Sequence, residues 1–333
     1  MPRFGQASPL PEDRAAPVAM PIPPITGLVA EFYARVAALA ARRFDGDIDR
    51  GVIYGMLWGV ALSRPAREGA ISIHSAAFAL GRPFETVRRH VAALVAAGLC
   101  QRTRHGIAIA PGPRADPVVD RSLSQLNNIF VAFMAGGVAS GAFPAPARHP
   151  AGVARRPFRR DDGARLAIDL MLAIVDCHRP FVPDVVDLAI VAAVMEANAR
   201  GWAGAADGAG PRAADGGPAA FDGAHAVRVA TVARALGIGH ATARRRAAGL
   251  AGPGGPLLRL RQGMVISPAW LAMIGSAAAG EGRHATLTLL LTRVAAAGFP
   301  FDAPASAYAA LPAPRLAPVP GAAPVNIPEP ASG

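Results

Sequence analysis

Two pairs of adjacent arginines carry the clearest chemistry in this sequence. Arg88 and Arg89 occur in the segment TVRRHVAALVAAG, and Arg244 and Arg245 occur in TARRRAAGLAG. A guanidinium group is planar, stays charged at neutral pH and forms parallel hydrogen bonds with the oxygens of a phosphate or carboxylate. The two pairs therefore indicate an anionic partner, provided that the surrounding elements leave these side chains exposed.

The arginine pairs belong to an internal repeat. Residues 71–96 align without a gap with residues 227–252, so that Gly81 pairs with Gly237 and each arginine pair falls on the other. Apolar helical patterns precede and follow both segments, and FDGDIDRGVIYGMLW (44–58) resembles FVPDVVDLAIVAAVM (181–195). A match of this length predicts a duplicated unit of about 110 to 130 residues.

Each repeated segment predicts two short helices joined by a turn. Apolar residues recur at helical spacing, and a glycine, Gly81 or Gly237, stands where the first helix should end. With Val87 and Val91 facing the core, Arg88 and Arg89 lie about 100° and 200° around the second helix from Val87. Both should face solvent. Two helices with a short glycine-containing turn form a helix-turn-helix.

A β-hairpin is predicted after each second helix. The segments LCQRTRHGIAIAP (99–111) and LRLRQGMVISP (258–268) each contain two arginines one residue apart, then a glycine and an apolar strand. Strand alternation places both arginines of a copy on one face, with the glycine in the turn. These arginines are Arg102 and Arg104 in the first copy and Arg259 and Arg261 in the second, and the glycines are Gly106 and Gly263.

The net charge of +11 is confined to these segments. Residues 71–112 contain five arginines and one acid, Glu85, and residues 227–267 contain seven arginines and no acid. The rest of the chain is therefore balanced. Clustered positive charge of this kind is the electrostatic pattern of nucleic-acid binding.

The segment TVRRHVAALVAAGLC followed by QRTRHGIAIAP resembles the recognition helix and wing of bacterial winged helix-turn-helix transcriptional regulators of the MarR, GntR and IclR kind. The resemblance covers about 60 residues in each copy. The second copy departs from it at Gly249, at the GPGG of 252–255 and in a Gly/Ala-rich insertion. The expected fold is mainly α with small β-hairpin wings, as two tandem modules with flanking packing helices.

The resemblance implies a sequence-specific regulator that binds double-stranded DNA, with the second helix in the major groove and the wing on the backbone. Its flanking helices would build a dimer-like core, and a homodimer is a further expected partner. The predicted DNA-binding residues are Arg82, Glu85, Thr86, Arg88, Arg89, Arg102, Arg104, His105, His240, Thr242, Arg244, Arg245, Arg246, Arg259 and Arg261.

Three alternative functions remain open. A plasmid-type replication initiator also carries two winged helices in one chain. A winged-helix scaffold would use the same modules for protein contacts. A ligand-sensing regulator would hold a small-molecule effector between the flanking helices, although no residue pattern identifies that effector.

Catalysis, metal binding and membrane insertion are not expected. No GxSxG, phosphate-binding loop or GxGxxG motif occurs in a strand-turn-helix context, so neither an enzyme nor a cofactor site is predicted. Cys100 and Cys177 are far apart and lack zinc-ligand spacing. The apolar runs are shorter than the ~20 residues of a membrane span. A cytoplasmic, nucleoid-associated protein is the expectation.

Composition suggests the domain boundaries. Residues 1–24 and 301–333 are rich in proline and alanine, which predicts a disordered arm and tail. The first repeat is expected at 25–140 and the second at 163–300. A basic linker at 141–162 joins them, and the Gly/Ala-rich insertion occupies 201–223 of the second repeat.

Overall fold

The structure is a computed structural model that describes residues 24–63, 69–143, 156–205, 225–274 and 277–309. It is mainly helical with two small antiparallel two-stranded sheets, as predicted. The helices are α1 Pro24–Arg43, α2 Ile48–Ser63, α3 Ile73–Leu80, α4 Phe84–Ala96, α5 Pro117–Ala139, α6 Arg160–His178, α7 Val185–Ala205, α8 Val229–Leu236, α9 His240–Leu250, α10 Pro268–Ile274 and α11 Ala277–Ala296. The strands are β1 Cys100–Thr103, β2 Gly106–Ile109, β3 Leu257–Arg259 and β4 Met264–Ile266. Among the described residues, no helix has both the length and the apolar character needed to cross a bilayer.

The repeated helix pairs begin and end at equivalent positions. Helices α3 and α8 end at Gly81 and Gly237, whose φ angles of 60° and 69° are left-handed. Glycine reaches this conformation without a steric penalty, which confirms its predicted role as the helix terminator. The caps at the other end differ: Ser72 Oγ accepts a hydrogen bond from the Ser75 amide at 3.0 Å, whereas Arg228 gives α8 no side-chain cap.

The hairpins are tighter than the sequence alternation predicts. Strand β1 ends at Thr103, and Arg104 with His105 forms a two-residue turn before Gly106. In the second copy, the backbones of Leu260 and Gly263 exchange hydrogen bonds of 2.8 and 3.3 Å, so residues 261–262 form the turn. The prediction that Arg104 and Arg261 lie on a strand face was therefore wrong; both are at hairpin tips.

The glycines beside the two turns are required by a third strand segment. Ile71 pairs with Ile107, and Val227 pairs with Met264, each as an antiparallel bridge. A Cβ on Gly106 would lie 2.4 Å from the Ile71 carbonyl oxygen, and a Cβ on Gly263 would lie 2.5 Å from that of Val227. Each glycine thus makes room for the backbone that joins the hairpin to its helices.

Replacing Gly263 with alanine should destabilise the second hairpin. The added methyl group would overlap the Val227 backbone, and overpacking of this kind costs about 1–3 kcal/mol. Thermal unfolding of Gly263→Ala should show a lower Tm than wild type. Gly249→Ala is the matched control because a Cβ there has no neighbour within 4 Å. Equal Tm values for the two variants would contradict the proposed contact.

The first helix of each half also packs against the other half. Helix α1 packs against α7 and α8 of the second half, and α6 packs against α2 and α3 of the first half. Buried side chains from both halves form one continuous core. Each pair of short helices is therefore supported by a helix from the other half.

The turns between the paired short helices also contact the opposite half, through Arg179 in one case and Arg42 in the other. Arg179, directly after α6, donates to the carbonyl of Ala79 at 3.2 Å, and its guanidinium covers Gly81. Near the end of α1, the Arg42 side chain approaches Gly237 only through its Cγ, at van der Waals distance. Arg42 and Arg179 are 137 residues apart, which is also the offset between segments 44–58 and 181–195.

A buried carboxyl group lies in the seam between α1 and α7. Glu196 is only 3% exposed, and its Oε1 lies 3.0 Å from Arg200. Across the seam, Arg35 of α1 pairs with Glu31. Burial raises the pKa of Glu196 from 4.5 to about 7, with Arg200 opposing the rise and Glu31 adding to it.

This pKa predicts stability that falls as pH rises toward neutrality. Between pH 4.5 and about 7 the folded chain holds a proton on Glu196 that the unfolded chain has lost. The Tm should therefore decrease over this interval. Above it, Glu196 is ionised in both states and should lower the Tm no further. Glu196→Gln should flatten the decrease, whereas Asp176→Asn, at a side chain that is 72% exposed, should preserve it. Parallel Tm profiles for wild type and Glu196→Gln would contradict this assignment.

The repeat boundaries differ at three points from those predicted by composition. Helix α6 begins at Arg160, inside the expected linker 141–162, and α7 continues to Ala205, inside the expected insertion 201–223. Residues 301–309 of the expected disordered tail are ordered: Asn127 Nδ2 donates to Ala307 O at 3.1 Å. The predictions for residues 1–23, 144–155, 206–224 and 310–333 lie outside the described residues.

Candidate nucleic-acid interface

Helices α4 and α9 present their arginine pairs to solvent. Val87 and Val91 of α4 and Ala243 and Ala247 of α9 are buried. Of the three residues between each buried pair, the first two are exposed and the third is half-buried. Arg88, Arg89, Arg244 and Arg245 are all exposed, as the helical geometry predicts. The half-buried Thr86 and Thr242 lie at the edge of each exposed face.

An arginine-lined cleft of about 950 Å³ separates α9 from the second hairpin. Its lining residues are Arg228, Val229, Ala241, Thr242, Arg244, Arg245, Ala247, Ala248, Ala251, Arg259, Leu260, Arg261, Gln262, Gly263 and Met264. Five of these are arginines and none is an acid. Within the described ranges, no carboxylate lies within ion-pair distance of these five guanidinium groups. The cleft can therefore accept an extended anion.

Arg228 and Gln262 join this cleft although the sequence did not place them in the site. Arg228 belongs to the same acid-free stretch as the predicted residues, and it occupies the position of Ser72 in the first copy. Its side chain lines the cleft because the bridge at Val227 brings it beside the hairpin. The local excess of charge was the signal for Arg228. Gln262 is in the cleft because it occupies the hairpin turn.

The first module holds one of its arginines in an ion pair. The guanidinium of Arg88 donates to both carboxylate oxygens of Glu85 at 2.7 and 2.6 Å. This hydrogen bonding lowers the pKa of Glu85 and raises that of Arg88. At the hairpin tip, Arg104 Nε donates to His105 Nε2 at 3.0 Å, while Arg102 is exposed on β1. In the second module, His240 is exposed at the start of α9.

Arg82 and Arg246 were predicted at the interface, but the guanidinium group of each forms ion pairs with two aspartates. Arg82 lies 2.6 Å from Asp49 and 2.6 Å from Asp184, and its side chain is 12% exposed. Arg246 lies 2.9 Å from Asp184 and 2.8 Å from Asp187. These carboxylates lie between 33 and 102 residues from their arginine in the sequence, so local spacing could not show the ion pairs.

Asp184 is the point where the two modules meet. Burial opposes its ionisation, but hydrogen bonds and charge from Arg82, a backbone hydrogen bond and the charge of Arg246 outweigh burial and lower its pKa. Burial raises the pKa of Asp49, and the charge and hydrogen bond of Arg82 reverse this rise only in part. Because Asp49 begins α2 and Asp184 precedes α7, their shared arginine brings the N-terminal ends of these helices together.

An equivalent contact attaches each second helix to the adjacent helix of its own half. His90 Nδ1 of α4 lies 3.4 Å from Asp47, just before α2. Arg246 of α9 occupies the position of His90 and binds Asp184, which occupies the position of Asp47. Both modules are therefore attached at the end of the helical layer where α2 and α7 meet.

The flanking helices enclose a small apolar cavity of about 60 Å³. It lies among α1, α2, α5 and α6 and includes Tyr54 and Trp58, whose polar atoms are buried without a hydrogen-bond partner. This volume has room for about two water molecules. It is well below the roughly 300 Å³ of a typical ligand pocket, so a metabolite-sized effector would require these helices to move apart.

Among the described residues, no group of three histidines, cysteines or acids is arranged to hold a metal ion. The chain matches no protein-family model, and no match was found among curated proteins or solved structures. The candidate interface is therefore supported only by the positions and charges of its own residues.

Proposed function

We propose that this chain is a sequence-specific transcriptional regulator that binds double-stranded DNA through two winged helix-turn-helix modules. The order α2, bridge at Ile71, α3, turn, α4 and β1–β2 hairpin is that of a winged helix. The second half repeats it from α7 to β4. The observation that carries the proposal is that both copies expose arginines on the second helix and on the hairpin beside it.

In this mechanism, α4 and α9 enter adjacent major grooves about 34 Å apart, and the hairpin tips contact the flanking backbone. Arginines on helix and hairpin neutralise phosphates and release counterions. Since FETVRRH and HATARRR differ, a single chain recognises two unlike half-sites, and a symmetric palindrome requires two chains. Arg82 and Arg246 do not contact DNA; they set the angle between the modules.

Selection from a randomised duplex pool, followed by fluorescence anisotropy over a salt series, tests the proposal. The full chain should enrich a defined site and bind it with a log–log salt slope of about −0.9 for each phosphate contacted. Enrichment of iterated repeats in place of a two-part site would indicate a replication initiator. Weak binding without salt dependence would refute DNA binding and favour a protein-interaction scaffold.

A further inference from the structure

The two modules differ at the positions that face the proposed DNA. Phe84 and Glu85 of α4 are replaced by His240 and Ala241 in α9, and the capping residue Ser72 is replaced by Arg228. The backbone and burial patterns around these positions match in the two copies. The differences are therefore differences of chemistry on one shared scaffold.

The second module has the side chains expected of a phosphate-binding site. Five arginines line its cleft, and Ala241 leaves Arg244 without the acid that Arg88 has. Guanidinium contacts to phosphate supply affinity that does not depend on base sequence. The cleft also spans from the helix to the hairpin tip, so it can follow a backbone rather than a single base.

The first module has less free positive charge and more base-specific groups. Glu85 neutralises Arg88, and each carboxylate oxygen retains a lone pair that can accept a hydrogen bond. Phe84 is 43% exposed, and its ring centroid lies 5.1 Å from that of His74. A carboxylate accepts from the cytosine N4 amino group, and an aromatic ring contacts the thymine methyl group.

We infer that the two modules contribute differently to DNA binding: the second supplies most of the backbone contacts, and the first selects pyrimidines within its own half-site through Phe84 and Glu85. This inference rests on the proposed function. It predicts that loss of Glu85 changes which sites are chosen, whereas loss of Arg244 weakens binding to every site.

The test is selection from randomised duplexes with the full chain and with Glu85→Gln, Phe84→Ala and Arg244→Ala. Glu85→Gln should move the preference at one half-site from cytosine to adenine by about 5- to 150-fold, since glutamine pairs with adenine N6 and N7. Phe84→Ala should relax a thymine preference in the same half-site. Because Glu85→Gln frees Arg88, its salt slope should steepen by up to about 0.9.

Arg244→Ala should retain the wild-type site, lower affinity about eightfold at 0.1 M salt and reduce the slope by about 0.9. Arg234→Ala is the charge control, because Arg234 is exposed on α8 but does not line the cleft. Thermal unfolding confirms that each variant is folded. If wild type selects a site that Glu85→Gln and Phe84→Ala leave unchanged, the inferred difference between the modules is refuted and DNA binding stands. If wild type selects no site, the proposed function itself fails.

Discussion

Replacing Arg244, Arg245 and Arg259 with alanine is expected to lower the affinity for duplex DNA by several hundredfold at 0.1 M salt. Each arginine that contacts a phosphate contributes about 0.9 to the salt slope, so the slope should fall by about 2.7. The effect should be similar for random and selected sequences, because the proposed mechanism assigns these side chains to the DNA backbone. Anisotropy titrations at four or more salt concentrations measure both quantities.

A triple variant of Arg114, Arg121 and Arg234 is the matched control. These three arginines are exposed and lie outside the cleft. Replacing them with alanine removes the same net charge as the cleft variant. Their loss should change affinity by only a small fraction of the cleft effect, since long-range attraction is largely screened at this ionic strength. If both triple variants lose affinity equally, overall charge and not the cleft would account for binding.

Asp184→Ala is expected to destabilise the chain by about 3 kcal/mol. The substitution leaves Arg82 and Arg246 without their shared carboxylate, while Asp49 and Asp187 each keep one contact. It also removes the acceptor for the Val186 amide at 2.8 Å, a helix cap that contributes about 1 kcal/mol. Denaturant unfolding measures the loss. Because the pKa of Asp184 is lowered, its contribution should persist at neutral pH and disappear only in strong acid.

Two further variants separate the parts of the Asp184 effect. Asp184→Asn keeps a capping oxygen and removes the charge. Its free energy of unfolding should therefore lie between those of wild type and Asp184→Ala. Asp176→Ala removes a carboxylate that is 72% exposed and pairs with Arg179, and it should cost less than about 1 kcal/mol. A loss from Asp184→Ala no larger than that from Asp176→Ala would contradict the role of Asp184 in joining the modules.

Features that depend on local periodicity could be predicted from the sequence. The burial of Val87 and Val91, the exposure of Arg88 and Arg89 and the end of α3 at Gly81 follow from helical spacing and from glycine's backbone freedom. The hairpins were also predicted, but the alternation placed Arg104 on a strand because it could not show the two-residue turn. The bridge at Ile71 was missed because its partner lies 36 residues away.

By itself, the sequence determined the duplication, the mainly helical class and the two positively charged segments, because each of these is visible in continuous segments without knowledge of how they pack. Only the tertiary structure decided which guanidinium groups remain free. Arg82 and Arg246 are the same residue type as their exposed neighbours, yet packing against the N-terminal ends of α2 and α7 places half-buried carboxylates beside them. The number of arginines follows from composition. Whether a given guanidinium group is free to bind another anion depends on the carboxylates that tertiary packing places beside it.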